Sequence, residues 1–278
     1  MLPLVLQEIV ENVKKQYATI PQVRWTDTAP TEEDMAILQK EALTENPFDK
    51  INFRKEMWIA LQTGKAALLC RTCPYGKVLV ICLLGSDRSS ADLGISWSTW
   101  ARILEGFGVT NARICWYASP TKRVLPKNGS TVGPEHVNGG YTMPCQLTAV
   151  VIYRLEEATR VLIHEMLHAT CTDHDHDPTE IKEAKTETYA ELLLIGYASK
   201  GNAKLAEKLW LHQADWIQEV NQTLIHEHGV RSLADYSARY TLGRVKELKS
   251  IGLELPTSVT RRSTSSRFTS PKLDKYLL

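Results

Sequence analysis

The chain has 278 residues, with 33 Lys and Arg against 32 Asp and Glu, 43% hydrophobic and 23% charged. That composition is globular: it excludes collagen-like, wholly disordered and small disulfide-stapled classes, and it offers no basic excess for binding nucleic acid by bulk charge. The longest apolar run, Val78 to Leu84, is far short of the roughly 20 residues that cross a bilayer, so no membrane span is expected.

In chain order, "MLPLVLQEIVENVKK" lacks a basic stretch before its apolar residues and a small-residue cleavage site, and reads as an amphipathic helix rather than a secretion leader. A second helix is expected from Thr31, with Asp34 completing a capping box ahead of "EDMAILQKEAL". Strands rich in β-branched residues are expected at Val78 to Leu84, Ala112 to Tyr117 and Ala149 to Tyr153, with a Trp-rich helix around Trp97 to Leu104. From Leu155 to about Glu254 the pattern is helical. The predicted fold class is α+β, a mixed sheet followed by a helical C-terminal half. The predicted organisation is an N-terminal helical region (1–64), a core (65–255) and a basic, Ser/Thr-rich, solvated or surface-draped tail (256–278). Such a tail could make weak contact with phosphate or an acidic partner; nucleic acid is otherwise not an expected ligand.

Six cysteines in a chain of this length are too sparse for a disulfide framework and fit a reducing, intracellular compartment. Cys70 and Cys73 form a lone CxxC with no second pair nearby, which reads as buried strand cysteines rather than a zinc site.

The chemistry is concentrated in "RLEEATRVLIHEMLHATCTDH", which holds His164, Glu165 and His168 in an HExxH pattern. Residues four apart share a helix face, so the two imidazoles can grip one metal ion while Glu165 reaches a water held by it. With 8 His and 21 Glu in the chain, random order would produce the pattern only roughly 0.02 times. Val161, Leu162, Ile163, Met166 and Leu167 surround it and imply a buried helix, where unpartnered imidazoles and carboxylates cost several kcal/mol. A third ligand must follow. Glu187 lies in "PTEIKEAKTETYAELLLIGYA", a helix that Asp177 could cap with Pro178 first and Glu180 completing a capping box; Glu191 shares its face. His174 offers the alternative spacing HxxxHxxxxxH.

HExxH followed after 18 residues by Glu resembles the gluzincin metallopeptidases, and "TETYA" resembles the segment that carries their third ligand in the aminopeptidase branch. Over about 75 residues, from "TKRVLPKNGSTVGPEHVNGGYTMPC" to "ETYAEL", the chain also resembles zinc metallopeptidases encoded by nucleocytoplasmic large DNA viruses. The matching positions are Arg123 with Pro126, Asn138 with Gly139, Arg154 with Glu156 and Glu157, and Glu187 with Tyr189 and Glu191; Ala158 and Thr159 depart from it, since an aromatic residue is expected there. The resemblance implies a zincin-like fold, Zn2+ held by His164, His168 and Glu187, and Glu165 as general base in peptide-bond hydrolysis of a peptide or protein substrate. It also implies a setting in the host cytoplasm or virion. His164, His168 and His174 equally match the spacing of metzincins and of three-histidine RNA-processing hydrolases, which place Gly where Cys171 stands; Glu187 is favoured because Cys makes that turn harder. A zincin-fold interaction protein without activity is the reading from another class.

His136, Tyr141 and Tyr189 are secondary candidates for stabilising an oxyanion, while Arg154, Glu156 and Glu157 are expected in ion pairs at the helix start. Asn128-Gly129-Ser130 and Asn221-Gln222-Thr223 are glycosylation sequons, relevant only in a secreted chain.

Overall fold

The computed structural model describes all residues except 1, 20–22, 86–92, 128, 174–175, 233–234 and 257–262. The chain forms two compact units from separated stretches: Gln22–Lys122 with Asn138–Thr172, and Met1–Pro21 with Arg123–Val137 and Asp173–Leu278. The architecture is α+β with a mixed sheet.

The first unit contains β1 (Thr26–Asp27), α2 (Glu32–Leu43), α3 (Phe53–Gln62), β2 (Ala66–Cys73), β3 (Gly76–Leu83), α4 (Trp97–Gly106), β4 (Ala112–Tyr117), β5 (Gly140–Thr142), β6 (Val150–Ile152) and α6 (Ala158–Ala169). The sheet order is β1-β2-β3-β4-β6-β5, with β3, β4 and β6 parallel and the other pairs antiparallel. The strand expected at Ala149 to Tyr153 is β6, which lies between β4 and β5, and the edges are β1 and the three-residue β5. The parallel strands are apolar on both faces because both faces are covered. Leu79, Ile81, Cys115, Tyr117, Val151 and Tyr153 pack with Leu38, Phe53, Met57 and Trp58 of α2 and α3. On the opposite face Trp116 stacks against Trp100 of α4, ring centroids 5.1 Å apart. Trp100 then donates its indole N–H to Thr159 Oγ1 of α6 at 2.9 Å, which gives a polar residue a purpose at a position where the family resemblance calls for an aromatic one.

The Thr31 capping box forms in full: Asp34 N–H donates to Thr31 Oγ1, and Thr31 N–H to Asp34 Oδ2. Cys70 and Cys73 lie on β2, where an odd separation sends side chains to opposite faces, so they cannot grip one ion. Gly140 sets how closely β5 approaches α6. A Cβ there would stand 2.6 Å from the Val151 carbonyl oxygen and from Val161 Cγ1, and 3.2 Å from Glu165 Cγ.

The second unit is helical: α1 (Leu4–Thr19), the single-turn α5 (Pro134–Val137), α7 (Thr179–Ala198), α8 (Ala203–Glu227), α9 (Leu242–Ser250) and 3-10 turns at Tyr236–Tyr240 and Pro271–Tyr276. Gly196 lets α1 lie against α7, since a Cβ there would meet Ile9 Cγ2 at 2.9 Å. α7 begins one residue later than the sequence predicts. Pro178 occupies the N-cap, no side chain caps the helix there, and Asp177 instead pairs with Lys185 at 2.6 Å. Asn221 and Thr223 are buried in α8, so that sequon is closed to glycosylation in the folded chain; Asn128 lies outside the described residues.

The C-terminal segment differs from the expected solvated tail. From Ser263 onward it is packed: Phe268, Leu273 and Leu277 are buried. Gln213, fully buried on α8, donates from Nε2 to the Phe268 carbonyl (2.7 Å) and accepts from the Ser270 N–H (2.8 Å), while Trp216 Nε1 donates to the Arg267 carbonyl (3.0 Å). Arg267 is neutralised by Asp274 at 2.6 Å. The Ser/Thr composition conceals three apolar anchors, and α8 meets backbone polar groups around the first of them. Gln213→Leu, which strands a buried donor and acceptor together, should destabilise the protein by about 1–3 kcal/mol. A urea midpoint equal to that of the wild type would contradict this docking.

Candidate metal centre

Every residue of α6 is buried, so the polar groups of the HExxH segment sit where desolvation must be offset by partners. The helix start is anchored through Arg154, itself buried, whose guanidinium donates to the carbonyls of Asn138 (2.8 Å) and Thr121 (3.2 Å) and lies 4.8 Å from the Phe53 ring centroid. These backbone contacts hold Arg154 at the helix start.

His164 and His168, one turn apart, bring their Nε2 atoms to 3.1 Å with rings nearly perpendicular at 76°. Two nitrogens each held at 2.0–2.1 Å by a tetrahedral zinc stand roughly 3.3 Å apart, so the pair has the spacing that such an ion needs. Burial first, and then the neighbouring His168 and Arg160, holds His164 well below the usual histidine range. It is therefore neutral, the form that offers a lone pair. Glu165 is 5% exposed on the same helix. Two imidazoles and a carboxylate are a donor set suited to zinc.

Glu187, the predicted third ligand, lies on α7 and is buried at 3%. Glu191, a further turn on, is ion-paired with Arg244 at 3.6 Å. His174 lies outside the described residues.

The secondary candidates are engaged elsewhere. Tyr141 donates to Glu41 Oε2 and accepts from Arg54 Nη1, each at 2.5 Å, and burial together with the Glu41 bond raises its hydroxyl above the ordinary tyrosine range. His136 Nδ1 accepts the Gly133 N–H at 3.0 Å. Tyr189 is exposed on α7.

The end of α6 departs from the expected chemistry of its cysteines. Cys171 adopts the left-handed conformation, φ 56°, at the position where helices usually place Gly, and the turn closes with Cys171 N–H to His168 O (3.1 Å) and Thr172 N–H to Leu167 O (3.0 Å). Its sulfur is joined to Cys145, with Cα atoms 4.8 Å apart, while Cys70, Cys73, Cys82 and Cys115 are free thiols. The expectation of six reduced cysteines fails for this pair, because two residues 26 apart in sequence meet at one helix end. No protein-family model, curated protein or solved structure matches the chain. Among the described residues, no helix is long and apolar enough to cross a membrane.

Proposed function

We propose that the chain is a zinc-dependent, zincin-like peptidase in which His164, His168 and Glu187 hold the ion and Glu165 is the general base. The observation that carries this reading is the pair of buried imidazoles with Nε2 atoms 3.1 Å apart on a helix that also bears Glu165. When bound there, zinc supplies a Lewis acid for a peptide carbonyl and lowers the pKa of a coordinated water. Glu165 would serve as the general base, holding a proton at its carboxylate and delivering it to the leaving amine. The buried walls of α6 exclude bulk water from the ligands and keep His164 in its lone-pair form. The proposed substrate class is peptide or protein, and a setting inside host cells or virions goes with the viral resemblance.

Elemental analysis of the purified chain should find about one zinc, lost in the His164→Ala/His168→Ala double variant. A broad peptide library should be cleaved. Stoichiometric metal in the double variant, or a zinc-loaded protein that cleaves nothing, would end the peptidase reading. The third ligand is separable by substitution: Glu187→Ala should weaken zinc binding on the order of 10-fold to 100-fold or more, and His174→Ala should leave it nearly unchanged. The opposite order would make His174 the third ligand.

A further inference from the structure

The backbone carbonyl of His168 accepts two hydrogen bonds, from the N–H of Cys171 (3.1 Å) and from the N–H of Cys145 (3.0 Å). These two donors are the two halves of the same disulfide. Both cysteines are held left-handed, φ 60° at Cys145 and 56° at Cys171, a conformation that residues with a Cβ adopt at a cost and keep only where their surroundings impose it. Both are solvent-exposed, and Cys145 lies in an exposed stretch with Met143, Pro144 and Gln146, so little apart from the sulfur bond and the one hydrogen bond ties that stretch to α6. The other four cysteines include three buried thiols, Cys70, Cys82 and Cys115.

We propose that the Cys145–Cys171 bridge is a redox-controlled clamp on His168, so that thiol–disulfide exchange at this pair sets the metal affinity of the site. The proposal rests on the metal reading of His168. Exposed disulfides are the ones open to exchange. A dithiol reductant attacks one sulfur as its thiolate, the S–S bond breaks, and a mixed disulfide forms. The second reductant thiol then displaces the protein sulfur. The protein gains two electrons and two protons as two thiols, and the reductant leaves as its own disulfide. With the bond gone, Cys145 is free to leave its left-handed conformation and withdraw its N–H from the His168 carbonyl. Cys171 is left as a non-glycine residue in a glycine position. The last turn of α6, which carries His168, then loses the constraint that aims its imidazole at that of His164. Cys145 and Cys171 are positioning residues in this scheme, and neither touches the ion or substrate.

The test uses the full chain and Zn2+ itself. Zinc affinity is measured by competition with a chromophoric chelator before and after reduction with a trialkylphosphine, with thiol counts confirming two additional free cysteines. Amide hydrogen exchange is followed over residues 165–172 in the metal-free protein. Reduction should weaken zinc binding by about 10-fold or more, the scale set by losing an interaction that orients a ligand, and should speed exchange in 165–172 while leaving α8 unchanged. The Cys145→Ser/Cys171→Ser variant should match the reduced wild type without reductant, and Cys145→Ser/Cys171→Gly should recover part of the affinity because Gly accepts the turn. Equal zinc affinity in oxidised and reduced protein, unchanged exchange, or no disulfide in the purified chain would each overturn the clamp. Failure of the oxidised protein to bind zinc would instead overturn the metal reading beneath it. Reduced wild type keeps the question decidable if the serine variant does not fold.

Discussion

Glu165→Gln should retain zinc and the fold while losing about 10²-fold to 10⁴-fold in peptide cleavage, the range attributed to general acid–base catalysis. The substitution is nearly isosteric, which matters at a side chain only 5% exposed and approached so closely by β5 that a Cβ on Gly140 would stand 3.2 Å from its Cγ. An amide fills that space but cannot take the proton of a metal-held water. Metal content should stay near the wild-type value because Glu165 acts as the base and not as a ligand in the proposed mechanism. Loss of zinc together with activity would make Glu165 a ligand or a structural support. Undiminished turnover in the zinc-loaded variant would remove it from the mechanism.

The positions readable from sequence are those where one local rule decides. Thr31 with Asp34 forms the capping box its spacing predicts, Ala112 to Tyr117 is the strand β4 without adjustment, and HExxH lies on a helix buried on all sides as its apolar neighbours require. Gly140 to Thr142 is too short to carry an alternating pattern, and only pairing with β6 makes it a strand. The third carboxylate is ambiguous for a related reason. Glu183, Glu187 and Glu191 recur every four residues and so share one face of α7, each about 6 Å along the axis from the last. Periodicity selects the face and cannot select the turn. The disulfide was hidden because spacing says nothing about which distant cysteine meets the helix end. A faint signal existed in Cys171 itself, which occupies a glycine position and is held there at φ 56°. In the C-terminal segment, composition predicted solvation, while Phe268, Leu273 and Leu277 supply enough apolar surface to dock once Gln213 receives the backbone between them.

The largest stability effect is expected at the far end of that glutamate face. Glu191 on α7 and Arg244 on α9 are 0% and 1% exposed in their side chains, with Oε2 and Nη1 3.6 Å apart, and the Arg244 guanidinium also lies 5.7 Å from the Phe268 ring centroid. Taking either charge out of water is costly, and the pair is tolerable because the opposite charge is close. Arg244→Met keeps much of the aliphatic volume and removes only the cation, leaving the Glu191 carboxylate in a low-dielectric setting without it. The expected cost is about 3–5 kcal/mol, measured by urea or thermal unfolding. Replacing Glu191 as well, as Arg244→Met/Glu191→Leu, should recover a substantial part of that loss, because two apolar side chains carry no desolvation penalty. This cycle separates charge from packing. If the double variant is as unstable as the sum of the single ones, the two side chains act independently and the ion pair does not join α7 to α9. If Arg244→Met costs less than about 1 kcal/mol, the pair behaves like an exposed one and its burial is not maintained in solution.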